Sequence, residues 1–261
     1  MFQAGVLDFQ QFDATEAGVP RVLSPSLANA TLDGLEKVVN ATGAFLVRYA
    51  DDFIVAAANA PTLTVAQHET QQFLKIRGLS INYDKTRVTT IDKGFDFLGF
   101  HFRPYPDPGR AKFNKLGIFL IKPKDQNVIN ICRKVSETVR KHPNASSGRI
   151  IIKLNPILRG WAEHYRTVSS RTAFRKVSQH LFMVLKKWGY RKHKTVGRRA
   201  ALRKYFKTVK TRKGTQNWVF SGENETKETL TRFQIGTTNF CKHKLIALKQ
   251  PQNPFLLTHR A

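Results

Sequence analysis

"FLVRYADDFIVAAA", residues 45–58, sets two adjacent carboxylates, Asp51 and Asp52, between two apolar runs. A charge among apolar side chains is costly unless something pairs with it. The runs 44–49 and 53–58 are short, apolar and split by a polar centre, which is the pattern of a β-hairpin. Two carboxylates a few ångströms apart repel by roughly 1–4 kcal/mol at surface-like dielectric. A divalent cation reverses the sign of that interaction. Mg²⁺ in particular takes one or two carboxylates plus substrate phosphates. The plainer reading is a polar turn, since Asp is common in turns.

Outward from the hairpin, SPSLANATLDGLEKVVN (24–40) predicts a helix, with Ser24 as N-cap, Pro25 in the first turn and apolar Leu27, Leu32, Leu35 and Val38 recurring. TLTVAQHETQQFLKIRG (62–78) predicts a second helix that stops at Gly78. LSINYDKTRVTTI and FDFLGFHFRPY read as strands. The Pro/Gly cluster RPYPDPGR (103–110) then marks a boundary. Beyond it, residues 125–141 carry Val128, Ile131, Val135 and Val139 on one helical stripe. Residues 147–166, bent at Pro156, and 172–192 predict two more helices, so that three make a small bundle. Trp161 and Tyr165, four apart on a helix, read as core.

Charge divides the chain sharply. Residues 1–100 hold 8 Lys/Arg and 11 Asp/Glu, whereas residues 101–261 hold 36 and 7, for a total of +26. A compact chain this basic repels itself and calls for a polyanion, and nucleic acid is the default. A hydrophobic fraction of 41% is enough for a core. The two cysteines, Cys132 and Cys241, form no CxxC pair, which excludes a zinc ribbon or disulfide framework and fits a reducing compartment. No secretory signal opens the sequence and no apolar run reaches a membrane span, so the expected location is the cytoplasm of a bacterium or an organelle, with no membrane partner.

Tyr49-Ala50-Asp51-Asp52 in its apolar flanks resembles the YxDD hairpin of the reverse transcriptase palm. TEAGVPRVLSPSLANATLDGLE (15–36), GLSINYDKT (78–86) and FDFLGFHF (95–102) are similar to the segments around that hairpin in group II intron reverse transcriptases. LNPILRGWAEHYR (154–166) resembles the maturase-specific thumb, or X, region of the same RNA-directed DNA polymerases. The resemblance implies that Asp51 and Asp52 are catalytic Mg²⁺ ligands and that Tyr49 lies near the primer end or incoming nucleotide. It implies that Lys85 sits near departing pyrophosphate, and that Phe97, Leu98 and Gly99 hold the primer strand. Arg159, Arg166, Lys186, Lys187, Arg191, Lys192, Arg198 and Arg199 would track intron RNA or an RNA–DNA duplex through its backbone.

Three departures accompany the resemblance. The family's palm has a further aspartate upstream of the GVP segment, and this chain begins too late to contain it; Asp13 mimics it in an FxxxD spacing without room for the intervening helices. Gly18-Val19-Pro20 runs straight into Arg21 where the family has Gln-Gly-Gly, so close backbone approach to a nucleotide is lost. The fingers region and a Cys-pair endonuclease are expected to be missing as well. The expectation is therefore an α+β chain with four parts: a partial palm (1–103), a linker (104–122), a helical thumb (123–194) and a basic extension (195–261). It is expected to bind group II intron RNA and assist splicing, with an incomplete Mg²⁺ site and little nucleotidyltransferase activity of its own. A splicing cofactor without catalysis, an inactive remnant of a mobile element, and one half of a split enzyme completed by a separately encoded N-terminal half stand as alternatives.

Overall fold

A computed structural model describes residues 5–9, 24–82, 86–106, 118–193, 195–211, 214–223 and 226–241. The chain divides into two compact units, Met1–Ile129 and Asn130–Ala261.

The first unit runs β1 (Gly5–Phe9), α1 (Ser24–Thr31), α2 (Leu35–Ala41), β2 (Phe45–Tyr49), β3 (Asp52–Ala57), α3 (Ala60–Ile76), β4 (Arg87–Thr90), β5 (Phe95–Phe97), β6 (Phe100–Tyr105) and β7 (Ile118–Pro123), and ends within α4 (Asp125–Arg140). One antiparallel sheet has the order β2-β3-β1-β4, and a second has β5-β6-β7. Strand alternation sends Phe53, Val55 and Ala57 of β3 to one face. There they pack with Leu32, Leu35 and Val39 and with Leu63, Ala66, Phe73 and Leu74 of α3. Ile54, on the opposite face, packs with Phe97. Asn59 caps α3 by accepting from the Thr62 amide at 2.9 Å, and Pro61 follows where a missing N–H costs nothing.

Two readings of this unit need correction. The helix expected over 24–40 is two helices, because Gly34 adopts φ 85 between them. The break leaves Leu32 and Leu35 both fully buried, so the apolar spacing runs through it unchanged. FDFLGFHFRPY is a hairpin and not one strand: Phe97 pairs with Phe100 across Leu98 (φ 49) and Gly99 (φ 82). Two positive φ values at the central residues define the turn whose twist matches its flanking strands.

The expected linker, 104–122, is also corrected. Pro104 and Tyr105 belong to β6, and Ile118–Lys122 belong to β7, with Phe102 opposite Ile121 and Tyr105 opposite Ile118. The apolar run Ile118–Ile121 has the composition of a strand, and pairing satisfies its backbone. Phe95 stacks on Phe102 at 5.1 Å, and the Lys122 ammonium sits 3.6 Å above the Tyr105 ring.

The second unit holds the rest of α4, then α5 (Ser147–Tyr165), α6 (Arg171–Lys192), α7 (Arg198–Tyr205), β8 (Phe206–Thr211), β9 (Gly214–Glu223), β10 (Thr229–Thr231) and a 3₁₀ turn at Ile235–Thr237. α5 buries Ile150, Ile151, Leu154, Leu158 and Ala162, and α6 buries Phe174, Val177, Leu181, Leu185 and Trp188, each at helical spacing. Trp161 lies 5.0 Å from Tyr165 and 5.4 Å from Phe174, ring to ring, which makes it part of the packing. Pro156 lies inside a helix that continues to Tyr165.

The expected basic extension is not an appendage. β8, β9 and β10 form an antiparallel sheet in the order β10-β9-β8. Trp188 of α6 meets Tyr205 of α7 at 5.1 Å and Phe220 of β9 at 5.8 Å, and Phe206 meets Phe220 at 5.4 Å. Asn155 fastens the far side: its Nδ2 donates to the Thr231 carbonyl at 3.1 Å and its Oδ1 accepts from the Phe233 amide at 2.7 Å. Gly222 passes so close to the start of α5 that a Cβ there would stand 2.6 Å from the Gly148 amide nitrogen. Asn155→Ala removes both bonds and leaves the Phe233 amide without its partner; we expect a loss of about 1–2 kcal/mol in urea unfolding. Gly222→Ala is expected to cost about 1–3 kcal/mol in the same assay, because backbone must move.

Candidate nucleic-acid interface and carboxylate hairpin

Tyr49 pairs with Asp52, so Ala50 and Asp51 are the two central residues of a minimal hairpin loop. Ala50 takes φ 53, a conformation that costs a residue with a Cβ about 1–2 kcal/mol. That kink brings Asp51, on the loop, next to Asp52, the first residue of β3. Both carboxylates are half-buried, and Tyr49 is 66% exposed beside them.

Arg48 fixes the loop. Its Nε donates to Glu36 Oε1 at 2.8 Å, and its Nη1 donates to Asn29 Oδ1 at 2.9 Å and to the Ala50 carbonyl at 3.2 Å. One guanidinium therefore ties α1, α2 and the carboxylate turn together. Burial pushes the Glu36 carboxyl up, but the Arg48 hydrogen bond and charge outweigh it and hold the group below its ordinary value. Sequence reading passed over Arg48; the signal was a lone cation inside an otherwise apolar strand.

Asp8 was also passed over. Its backbone pairs in register with Ile54. The signal for a β1 strand beside β3 was GVLDF, an apolar run interrupted by one acid. Among the described residues no group of three His, Cys, Asp or Glu side chains converges as a metal cage. The donors in hand are two adjacent carboxylates, a set that suits Mg²⁺ sharing its remaining positions with water or phosphate. Lys85, Asp13 and Gly18–Arg21 lie outside the described residues.

Phe97, Leu98 and Gly99 form the second turn. The Phe97 ring is buried against Ile54, Leu98 is 38% exposed, and the Gly99 carbonyl accepts from the Lys124 amide at 3.0 Å and from Asn127 Nδ2 at 3.2 Å. The turn is thereby held to the start of α4. Asp96 beside it binds His101 at 2.7 Å and Lys124 at 3.4 Å.

The eight cations named for nucleic-acid binding all fall in the second unit. Arg159, Lys187, Arg191, Lys192, Arg198 and Arg199 are exposed, and Arg166 and Lys186 are half-buried. Several are already engaged. Arg166 pairs with Glu163 at 2.8 Å, Arg198 and Lys186 each face the Tyr190 ring at 5.9 and 5.8 Å, and Arg159 faces Phe233 at 5.7 Å. Lys192 donates to the Ala145 carbonyl and lies 5.0 Å from the Trp188 ring; burial and then Lys204 hold its pKa below the usual lysine value. Of the eight, Lys187, Arg191 and Arg199 are exposed and outside these contacts.

A small antiparallel sheet backed by helices, presenting a two-carboxylate hairpin, followed by a strongly basic helical unit, is the organisation of a polymerase palm and thumb. The comparisons agree. Residues 9–102 match the family described as reverse transcriptase (RNA-dependent DNA polymerase), and residues 128–206 match the group II intron, maturase-specific domain. Maturase-like protein 1 of Euglena gracilis is 29% identical over 165 residues, covering 62% of this chain and 32% of that protein. The chain spans about a third of the length of this relative. In order along the sequence, the matches to a reverse transcriptase and to a maturase-specific domain follow the arrangement of a group II intron reverse transcriptase/maturase. The mixed α+β architecture is that of a partial palm followed by a helical maturase domain. No helix among the described residues is long and apolar enough to cross a membrane.

Arg48→Ala is expected to lower stability at neutral pH by about 1 kcal/mol, a modest figure because Glu36 is open to solvent. A carboxyl held below its unfolded value contributes stability that is complete above that value and lost as pH falls through the folded one. The deficit of the variant should therefore shrink as urea unfolding is repeated below pH 4.5. Ala50→Gly, which relieves the positive φ, should raise the urea midpoint by about 0.5 kcal/mol equivalent.

Proposed function

We propose that the chain binds structured group II intron RNA through the cations of its second unit and assists splicing. The observation that carries this reading is the maturase-specific match over 128–206, which runs from α4 to the end of α7 in a unit holding 30 Lys/Arg against 5 Asp/Glu. Lys186, Lys187, Arg191, Lys192, Arg198 and Arg199, with Arg159 and Arg166, would contact phosphates as a group, and such binding weakens steeply with salt. The setting would be the cytoplasm of a bacterium or an organelle.

The second reading is polymerisation. The reverse transcriptase match and the Asp51-Asp52 hairpin support it. Asp51 and Asp52 would hold Mg²⁺, which would polarise phosphoryl oxygens. Tyr49, Lys85 and the 97–99 turn would border the primer and nucleotide on an RNA–DNA duplex. We place this second because the hairpin contributes two carboxylates, while in-line phosphoryl transfer between two metals asks for more ligands. A separately encoded N-terminal half could supply them.

Binding of a group II intron RNA to the full chain separates the two. Asp51→Ala/Asp52→Ala should leave affinity within about twofold, whereas Lys186→Gln/Lys187→Gln/Arg191→Gln/Arg199→Gln should lower it at least about tenfold and reduce the salt slope by up to about four. Equal losses from both variants would argue against the RNA-binding reading. Primer extension on an RNA template with Mg²⁺ should be weak; robust extension abolished by Asp51→Asn would put polymerisation first.

A further inference from the structure

The second unit contains a groove of about 450 Å³ apart from the cationic faces considered so far. α6 lines it with Arg171, Arg175 and the buried Phe174, β9 with Gln216 and Asn217, and the segment after β10 with Gln234, Gly236 and Phe240. No carboxylate lies among its described lining residues. Resting on the RNA-binding reading, and sharpening it, we propose that this groove is a subsite for a single unstacked nucleotide of single-stranded RNA.

The chemistry of the walls selects that ligand. Two guanidiniums four residues apart on the first turns of α6 supply an anion-binding side. Phe240 stacks on the buried Phe174 at 5.5 Å with planes 27° apart, and the Arg171 guanidinium lies 5.8 Å from the Phe240 centroid, so the half-buried Phe240 ring offers a planar surface for a base beside the phosphate ligands. The other polar groups of the lining are three amides, Gln216, Asn217 and Gln234, and the Ser178 hydroxyl, all of which can pair with base edges. Two of these amides have fixed orientations. Asn217 Oδ1 accepts from Thr208 Oγ1 at 2.9 Å, and Gln234 Oε1 accepts from Arg232 Nη2 at 3.1 Å. Arg232 is only 6% exposed, and burial holds its pKa down to about 10. The volume is within the range of small-ligand sites and accommodates one nucleotide.

A second observation is independent of the lining. Lys207 pairs with Val219, but Val209 pairs with Gln216, so Asn217 and Trp218 face Thr208 alone in a β-bulge. Trp218 is held at φ 61, a left-handed conformation that costs a bulky residue about 1–3 kcal/mol. It is 54% exposed and rests edge-on to Phe182 of α6 at 6.5 Å. The strain does not bury the indole. Gln216 and Asn217, which precede Trp218 on β9, line the groove, and the exposed indole would stack the neighbouring base of the same strand.

The test uses fluorescence anisotropy of the full chain with two probes: an unstructured RNA of about 12 nucleotides and a blunt RNA duplex of about the same length in base pairs. Space around Gly236 is open, with no atom within 4 Å of an added Cβ, so Gly236→Phe fills the groove from its own wall. It should lower affinity for the single strand about tenfold and leave the duplex within about twofold. Gln216→Ala/Asn217→Ala should do the same by a different route, which keeps the test meaningful if the bulky variant fails to fold. Single-strand affinity unchanged in a folded variant, or equal loss on both probes, overturns the subsite. Wild-type binding to neither probe at low salt overturns the RNA-binding reading itself, and the subsite with it.

Discussion

Thirty lysines and arginines share residues 130–261 with five acids, so ion pairing cannot neutralise that unit and its fold has to live with the repulsion. Arg166 has a close carboxylate partner in Glu163, at 2.8 Å. Five other cations lie over aromatic faces: Arg159 on Phe233, Arg171 on Phe240, Lys186 and Arg198 on Tyr190, and Lys192 on Trp188. Each such contact is worth about 0.5–1 kcal/mol at an exposed site, which moderates the repulsion without removing it. The remaining stability comes from an apolar interior of leucines, isoleucines and aromatic rings. A neutral core wrapped in unpaired positive charge is a body that gains from meeting a polyanion. The groove between α6 and β9 adds shape and hydrogen-bonding groups to that attraction.

The first unit answers a different constraint. Its adjacent acids, Asp51 in the loop and Asp52 at the start of β3, meet at a loop with no residues to spare, so the loop has to be held by its surroundings. Arg48 does this from one strand, bonding two helices and the loop carbonyl. From the other side Ile54 rests on Phe97, whose own turn is tied through Gly99 to the start of α4. The hairpin is thus buttressed on both faces of the sheet, and its two acids project from a rigid frame.

Much of this was legible. The hairpin at 45–58, α3 and the three long helices follow from apolar spacing and end signals, and their bounds fall within two residues of expectation. What escaped was set by tertiary context. The Gly34 break is silent in the periodicity because Leu32 and Leu35 keep their spacing across it. The turn at Leu98 lacked the usual Asn-Gly or Asp-Gly signature, since a leucine there adopts a conformation it ordinarily avoids. Residues 118–123 were taken into a linker because the preceding Pro/Gly cluster looked like a boundary, whereas it leads into another strand of the same sheet. The sheet after α7 was hidden because Phe206–Thr211 does not alternate: its apolar residues, Phe206 and Val209, stand three apart across the register shift, and Lys207 and Lys210 make the rest read as a solvated face. Of the site, the paired aspartates could be read from the hairpin, whereas Arg48, the register of Asp8 and the amide-lined groove depend on partners distant in sequence.

The minimal loop at Ala50-Asp51 also bears on how such a gene can drift. Strand side chains alternate faces, so one codon gained or lost between Tyr49 and Asp52 would invert every residue of β3 beyond it, turning Phe53 and Val55 out of the interior. A longer loop elsewhere absorbs such events at little cost. This one does not, and the segment is therefore confined to one-for-one replacement. A lineage could exchange the chemistry at positions 50 and 51 while the spacing of the two strands stays locked, leaving the length of the motif as the more durable record of descent.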